Sequence, residues 1–158
     1  MSDVAGIESG AKAPHFTLRA SGGRTVSSAA LRGKPYLLYF YPKADTSGCT
    51  AQACGIQEAL PALGKLNLTV IGVSPDPLKA IDKFAEKYGL TFPLASDPEH
   101  ELADQYGTWV EKSMYGRKYW GMERSSFLVD GEGVVREVWR KVKPAEHAAL
   151  VRAAAEAL

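Results

Sequence analysis

What is scarce in this chain narrows its chemistry first. Its 158 residues include only two cysteines and three histidines. Two cysteines make a thin disulfide framework for a secreted protein of this size, and in a reducing compartment a close pair points to transient redox chemistry or metal. Neither sign of charge is in surplus: 19 Lys and Arg stand against 18 Asp and Glu, a net charge of +1. That balance gives no electrostatic reason to expect nucleic acid or anionic lipid as a partner. No apolar run is long enough to span a bilayer. The opening stretch, MSDVAGIESGAKAP, lacks a basic segment followed by an apolar one, so no signal peptide is expected and the reading is of a cytoplasmic protein. No internal repeat or low-complexity linker divides the chain. With 46% apolar and 23% charged residues, a single domain over 1–158 is expected, with 1–10 loosely ordered.

The richest stretch runs from Pro35 to Cys54, PYLLYFYPKADTSGCTAQAC. Tyr36 to Tyr41 is the longest unbroken apolar and aromatic run. Bounded by Pro35 and Pro42 and too short for a helix, it predicts a strand buried on both faces. A polar turn, Lys43 to Gly48, follows. Cys49 then opens a helical pattern to about Leu60, where Pro61 interrupts it or begins another helical turn.

Around this stretch the pattern alternates. Pro14 to Leu18 reads as a short edge strand, with Thr25-Val26 pairing back as a hairpin. Leu68 to Ser74 is a second apolar strand. Asp76-Pro77 caps a helix whose apolar spacing ends at Gly89. Thr91 to Leu94 is a short strand, and Asp97-Pro98 starts a helix to Gly107. The aromatic stretch 109–121 reads as irregular, either a binding surface or cover over the sheet. Ser125 to Val129 and Val134 to Trp139 form a hairpin at Asp130-Gly131, and Pro144 opens a final helix. The order predicts an α/β, thioredoxin-like fold: a mixed central sheet with helices on both faces, and a reactive cysteine at the N-terminus of the helix after a central strand. That cysteine is Cys49.

The thiolate is the reactive form of cysteine, so such a site must favour negative charge on sulfur. A helix N-terminus offers free N–H groups and the positive end of the dipole. Gly48 puts no side chain in the approach. Thr46 places a hydroxyl where it can cap the helix or bond the sulfur. Cys49 and Cys54 lie five apart. On one regular helix their Cα atoms are about 8.7 Å apart and the side chains point roughly 140° away from each other, whereas a disulfide needs Cα atoms within about 7 Å. If the two pair, the first turns must unwind.

Other constellations are weaker. His15, His100 and His147 are scattered and read as surface residues, and two cysteines without a nearby histidine make a poor zinc site. Ser125-Ser126 has no Ser–His–acid pattern around it. Gly131 and Gly133 belong to a hairpin, not a phosphate loop.

The residues in hand resemble a known family. Pro42-x-x-x-Thr46-x-x-Cys49 is similar to the peroxiredoxin active-site pattern, and YFYPKADTSGCTAQACG resembles the bacterioferritin comigratory protein, or peroxiredoxin Q, branch. The likeness continues in VIGVSPD, FAEKYGLTFPLASD, YGTWVEKSMYGRKYWGMERSSFLVD and the last helix. It implies a peroxidatic Cys49, a resolving Cys54, a peroxide-binding Thr46 hydroxyl, a Pro42 that shields the site from water, and an Arg124 that stabilises the thiolate and aligns the peroxide. It implies an atypical two-cysteine enzyme that reduces hydrogen peroxide and organic hydroperoxides. Cys49 sulfenic acid and an intramolecular Cys49–Cys54 disulfide are its intermediates, and thioredoxin or a similar dithiol recycles it. It implies no cofactor and no metal. Because both cysteines lie in one chain, it leans towards a monomer. One departure is Ser47-Gly48, where this branch usually has Pro-Gly: losing the fixed φ of proline loosens the turn.

Two rivals share the cysteines. A thioredoxin-type oxidoreductase uses Cys-x-x-Cys and a proline before the following hairpin strand. Here four residues separate the pair and Glu123 to Ser126 holds no proline. A redox sensor or chaperone would use the same unwinding to capture partners rather than to turn over peroxide.

Overall fold

A computed structural model describes residues 7–158. Part of the segment expected to be loose, residues 1–6, lies outside the described residues. Residues 7–13 are tied down instead. Gly10 and Ala13 donate to the carbonyls of Val135 and Gly133, and Val135 donates to Ala11. Backbone groups that find partners in a neighbouring strand hold a terminus that composition alone would leave free.

Among the described residues, seven strands form the main sheet. They are β1 (Thr17–Ala20), β2 (Arg24–Ser27), β3 (Tyr36–Phe40), β4 (Thr69–Ser74), β5 (Leu94–Ser96), β8 (Ser125–Val129) and β9 (Val135–Arg140), in the order β2-β1-β5-β4-β3-β8-β9. Strand β3 is parallel to β4, and β4 to β5, while β8 runs antiparallel to β3 and β9 to β8. The helices are α1 (Ser47–Lys65), α2 (Leu78–Tyr88), α3 (Glu101–Tyr106) and α4 (Pro144–Glu156). This is the mixed sheet with helices on both faces that a thioredoxin-like fold requires.

The alternation along β3 divides the core. Leu37, Tyr39 and Tyr41 face one layer with Cys49, Ala53 and Ile56 of α1, Ile81 and Phe84 of α2, and Val151 of α4. Tyr36, Leu38 and Phe40 face the other, with Leu102 and Tyr106 of α3 and Phe127 of β8. A strand buried on both sides cannot alternate polar with apolar, which is why YLLYFY reads as one unbroken run. Gly72 of β4 makes room for this packing. A Cβ there would stand 2.8 Å from Leu94 Cδ2 and 3.0 Å from Tyr39 Cζ, so Tyr39 lies across the neighbouring strand because that position is bare.

Several boundaries differ from the sequence reading. The first strand starts at Thr17, beyond Pro14, and is not an edge. Its partner β2 is the edge, and Ala20 pairs inward with Ala95. Helix α1 runs through Pro61 to Lys65. Pro61 is exposed, so the carbonyl one turn earlier, denied its N–H partner, can be hydrated instead. Asp76 does not cap α2, whose N-terminal side-chain capping bond is absent. The strand expected over 91–94 is shifted to Leu94–Ser96, beyond Pro93. Asp97 is buried and its carboxylate accepts from Ala103 N–H at 2.9 Å, so here the expected cap of the helix start is made from a short distance upstream. The stretch 109–121 is regular: β6 (Trp109–Met114) and β7 (Arg117–Met122) form a two-stranded ribbon. Trp109 at its base packs against the core, but the rest is not cover over the sheet, because Met114, Tyr115, Tyr119 and Trp120 are exposed. Its turn carries Tyr115 at φ 52 and Gly116 at φ 78. Tyrosine is an unfavourable residue for positive φ, and this hid the hairpin signal.

Candidate active site

The site gathers where β3 ends. Pro42, half-buried, closes the strand and turns the chain away. The loop that follows is pinned from two sides. Ala44 N–H donates to Asp76 Oδ2 at 2.7 Å, and the Ser74 hydroxyl donates to the same oxygen at 2.8 Å. Asp76 thus holds the loop to the end of β4, the task it performs in place of capping. Asp45, at φ 60, accepts from Lys87 Nζ at 2.9 Å and from the Tyr88 hydroxyl at 2.7 Å. These two bonds hold its carboxyl below the usual carboxylate range.

Thr46 stands at the N-cap position of α1 with extended backbone, but its side chain makes no capping bond. Its hydroxyl turns back and donates to Lys43 O at 2.8 Å. The open N–H groups of the first turn therefore remain uncapped by a side chain. Cys49 lies in that turn, 1% exposed. Its sulfur accepts from Arg124 Nη1 at 3.3 Å, and the same nitrogen donates to Gln52 Oε1 at 2.7 Å. Gly48 is the reason the guanidinium fits, since a Cβ there would stand 3.1 Å from Arg124 Nη2. Arg124 itself sits between β7 and β8, and its carbonyl is held by Val142 N–H at 3.1 Å.

Of the residues picked out in the sequence, Arg124 touches the Cys49 sulfur, and Pro42 and Thr46 lie on the loop between β3 and α1 that leads to it. Cys54 lies on the same intact helix, half-buried, and both cysteines are free thiols. Three further residues belong to the site and were missed. Gln52, 1% exposed, links Arg124 to His147, whose Nδ1 lies 3.1 Å from Gln52 Nε2. His147 is fully buried rather than on the surface, and its Nε2 lies 2.8 Å from Ser126 Oγ. Its position was legible: His147, Val151 and Ala155 follow one another at four-residue spacing, the buried stripe of α4. Burial, with the Arg124 charge nearby, pushes the imidazole down to about 4. Ser126 and His147 do form a Ser–His pair, but both are fully buried and the imidazole's other neighbour is an amide, so no nucleophilic triad results. Among the described residues no group of three or more His, Cys, Asp or Glu side chains could hold a metal ion. Nor, among the described residues, is any helix long and apolar enough to cross a membrane.

A cysteine in the uncapped first turn of a helix, faced by a guanidinium on a thioredoxin-like sheet, is placed as a reactive thiolate requires. Residues 9–138 match the AhpC/TSA family. The bcp peroxiredoxin of Coxiella burnetii is 48% identical over 145 residues, 92% of this chain and 96% of that one. The structure of a Xylella fastidiosa PrxQ mutant superposes with a TM-score of 0.92 at 34% identity, covering 98% of both chains. That of the Xanthomonas campestris bacterioferritin comigratory protein, described for alkyl peroxide reduction, gives 0.85 at 41%, covering 90% of both. The chain belongs to the AhpC/TSA family and is a peroxiredoxin of its Bcp, or peroxiredoxin Q, branch.

Proposed function

We propose that this peroxiredoxin reduces hydrogen peroxide and organic hydroperoxides through Cys49, resolves the product with Cys54, and is recycled by thioredoxin or a similar dithiol. The single observation that carries the reading is the 3.3 Å hydrogen bond from Arg124 to the Cys49 sulfur. The Cys49 thiolate attacks the terminal oxygen of the hydroperoxide. A sulfur–oxygen bond forms, the oxygen–oxygen bond breaks, and the departing oxygen leaves with a negative charge that takes up a proton. Arg124 and the open N–H groups of α1 oppose the charge as it develops, with no reorganisation at the moment of reaction. Thr46 donates its proton to Lys43 O, so its oxygen is free to accept from the peroxide. Pro42 limits the entry of water on the strand side.

Cys49 is then a sulfenic acid. Cys54 cannot reach it while α1 is intact, so the first turns unwind. The Cys54 thiolate attacks the Cys49 sulfur, the disulfide forms as the sulfur–oxygen bond breaks, and the departing hydroxide takes up a proton to leave as water. A dithiol restores both thiols by exchange. With both cysteines in one chain, the working unit is a monomer, acting in the cytoplasm. Steady-state peroxide consumption with a thioredoxin system tests this reading. Sustained turnover that Cys49→Ser abolishes is expected. Capture of a partner without turnover would favour the sensor or chaperone reading instead.

A further inference from the structure

The polar chain behind the sulfur continues past Arg124 into the core. A guanidinium has no acceptor, so the Gln52 amide must turn its oxygen to Arg124. Its NH2 group then faces His147 Nδ1, which must accept. The imidazole therefore carries its proton on Nε2 and donates it to Ser126 Oγ. Each neighbour fixes the next: Arg124 to Gln52 at 2.7 Å, Gln52 to His147 at 3.1 Å, His147 to Ser126 at 2.8 Å. Gln52, His147 and Ser126 are all buried. The groups that face the ring are Gln52 from α1, Ser126 from β8 and the edge-on Tyr39 from β3, its centroid 5.1 Å away. The charge that bears on it is Arg124. The chain also spans three elements, α1, α4 and β8, and it grips α1 between the two cysteines.

We propose that His147 is a positioning residue for the peroxide reaction: by accepting from Gln52 it locks that amide with its oxygen towards Arg124, which keeps the guanidinium on the Cys49 sulfur and holds the first turns of α1 closed. The proposal rests on the reading of Cys49 as the attacking cysteine and Cys54 as its resolving partner. Without the imidazole, the Gln52 NH2 group is left buried with no acceptor, and the amide shifts to find one, which draws its oxygen out of line with Arg124. Two consequences of opposite sign follow. Attack on peroxide slows, because Arg124 is no longer held. Disulfide formation speeds up, because α1 has lost a tie in the segment that must unwind. Simple loosening of the core would bring only the second.

Nitrogen NMR of the reduced wild-type protein reads the tautomer directly. His147 is expected to carry its proton on Nε2 and to stay neutral from pH 5.5 to 8; a proton on Nδ1 overturns the proposal. Single-turnover oxidation in a Cys54→Ser background isolates the first step. There His147→Leu should slow oxidation of Cys49 about tenfold, the loss expected when a buried charge-assisted bond is misaligned. His147→Asn, whose side-chain oxygen can accept near the former Nδ1, should recover most of that rate. With both cysteines present, His147→Leu should form the disulfide several-fold faster. An unchanged first step in His147→Leu, or equal losses in the Leu and Asn variants, overturns the proposal and leaves the peroxidase reading standing. Peroxide turnover by Cys49→Ser would remove both.

Discussion

One nitrogen of Arg124 donates to two acceptors at once, the Cys49 sulfur at 3.3 Å and the Gln52 amide oxygen at 2.7 Å. The guanidinium that faces the Cys49 sulfur is thus aligned by a residue three positions along the same helix as that sulfur, so the helix start and the cation form one unit. Removing the cation should cost much more activity than stability. Arg124→Met is expected to lower kcat/KM for hydroperoxide about a hundredfold, the usual scale for losing one preorganised donor at a developing charge. Stopped-flow oxidation of Cys49 alongside a thermal melt checks this.

The Thr46 hydroxyl makes no capping bond to α1, so its removal should be felt mainly in the chemistry. Thr46→Val gives up only a bond to Lys43 O in an exposed loop, worth about 1 kcal/mol. The first-step rate should fall about tenfold, as for a lost hydrogen bond to the substrate. A stability loss well above that with an unchanged rate would show the hydroxyl to be structural.

Ser47 is the first residue of α1, the position where proline is preorganised and its missing N–H costs no helical bond. Ser47→Pro should therefore stabilise the reduced protein by about 0.4–1 kcal/mol. By stiffening the first turn of α1, it should also slow formation of the Cys49–Cys54 bridge. Denaturant melts give the first quantity, and quenched-flow mass analysis gives the second.

His147 makes stability depend on pH in a defined direction. Its folded value, about 4, lies below the ordinary 6.5, so between these values the unfolded chain binds the proton and the folded chain does not. The stabilisation is fully present above pH 6.5 and is lost as pH falls towards 4, a difference of roughly 3 kcal/mol across the window. Urea melts at pH 7, 5.5 and 4.5 should show the decline, and His147→Asn should flatten it.

Much of this was legible in the sequence because its causes are local. The run from Tyr36 to Tyr41 marked the strand, the Gly89 stop marked the end of α2, and Asp130-Gly131 marked the last hairpin. Cys49, Thr46 and Pro42 are close in sequence, so a spacing pattern finds them, and Arg124 entered only by resemblance. The network behind them was hidden because its members come from α1, α4 and β8, and a polar residue in an apolar stripe declares itself only by its spacing. Gln52 three residues after Cys49, and His147 four before Val151, were such signals. Asp76 was misread for a physical reason: an aspartate before a proline is a good helix cap, but here Ala44 N–H and the Ser74 hydroxyl claim its carboxylate.

The central claim is that Cys49 attacks the peroxide and Cys54 closes on it after the helix start opens. Mass spectrometry after one equivalent of peroxide tests it most directly. Wild type should lose two hydrogens as a Cys49–Cys54 bridge, Cys54→Ser should stop at sulfenic acid on Cys49, and Cys49→Ser should stay unmodified. An unmodified Cys49 in wild type, or a Cys49→Ser variant that still consumes peroxide, would contradict the account.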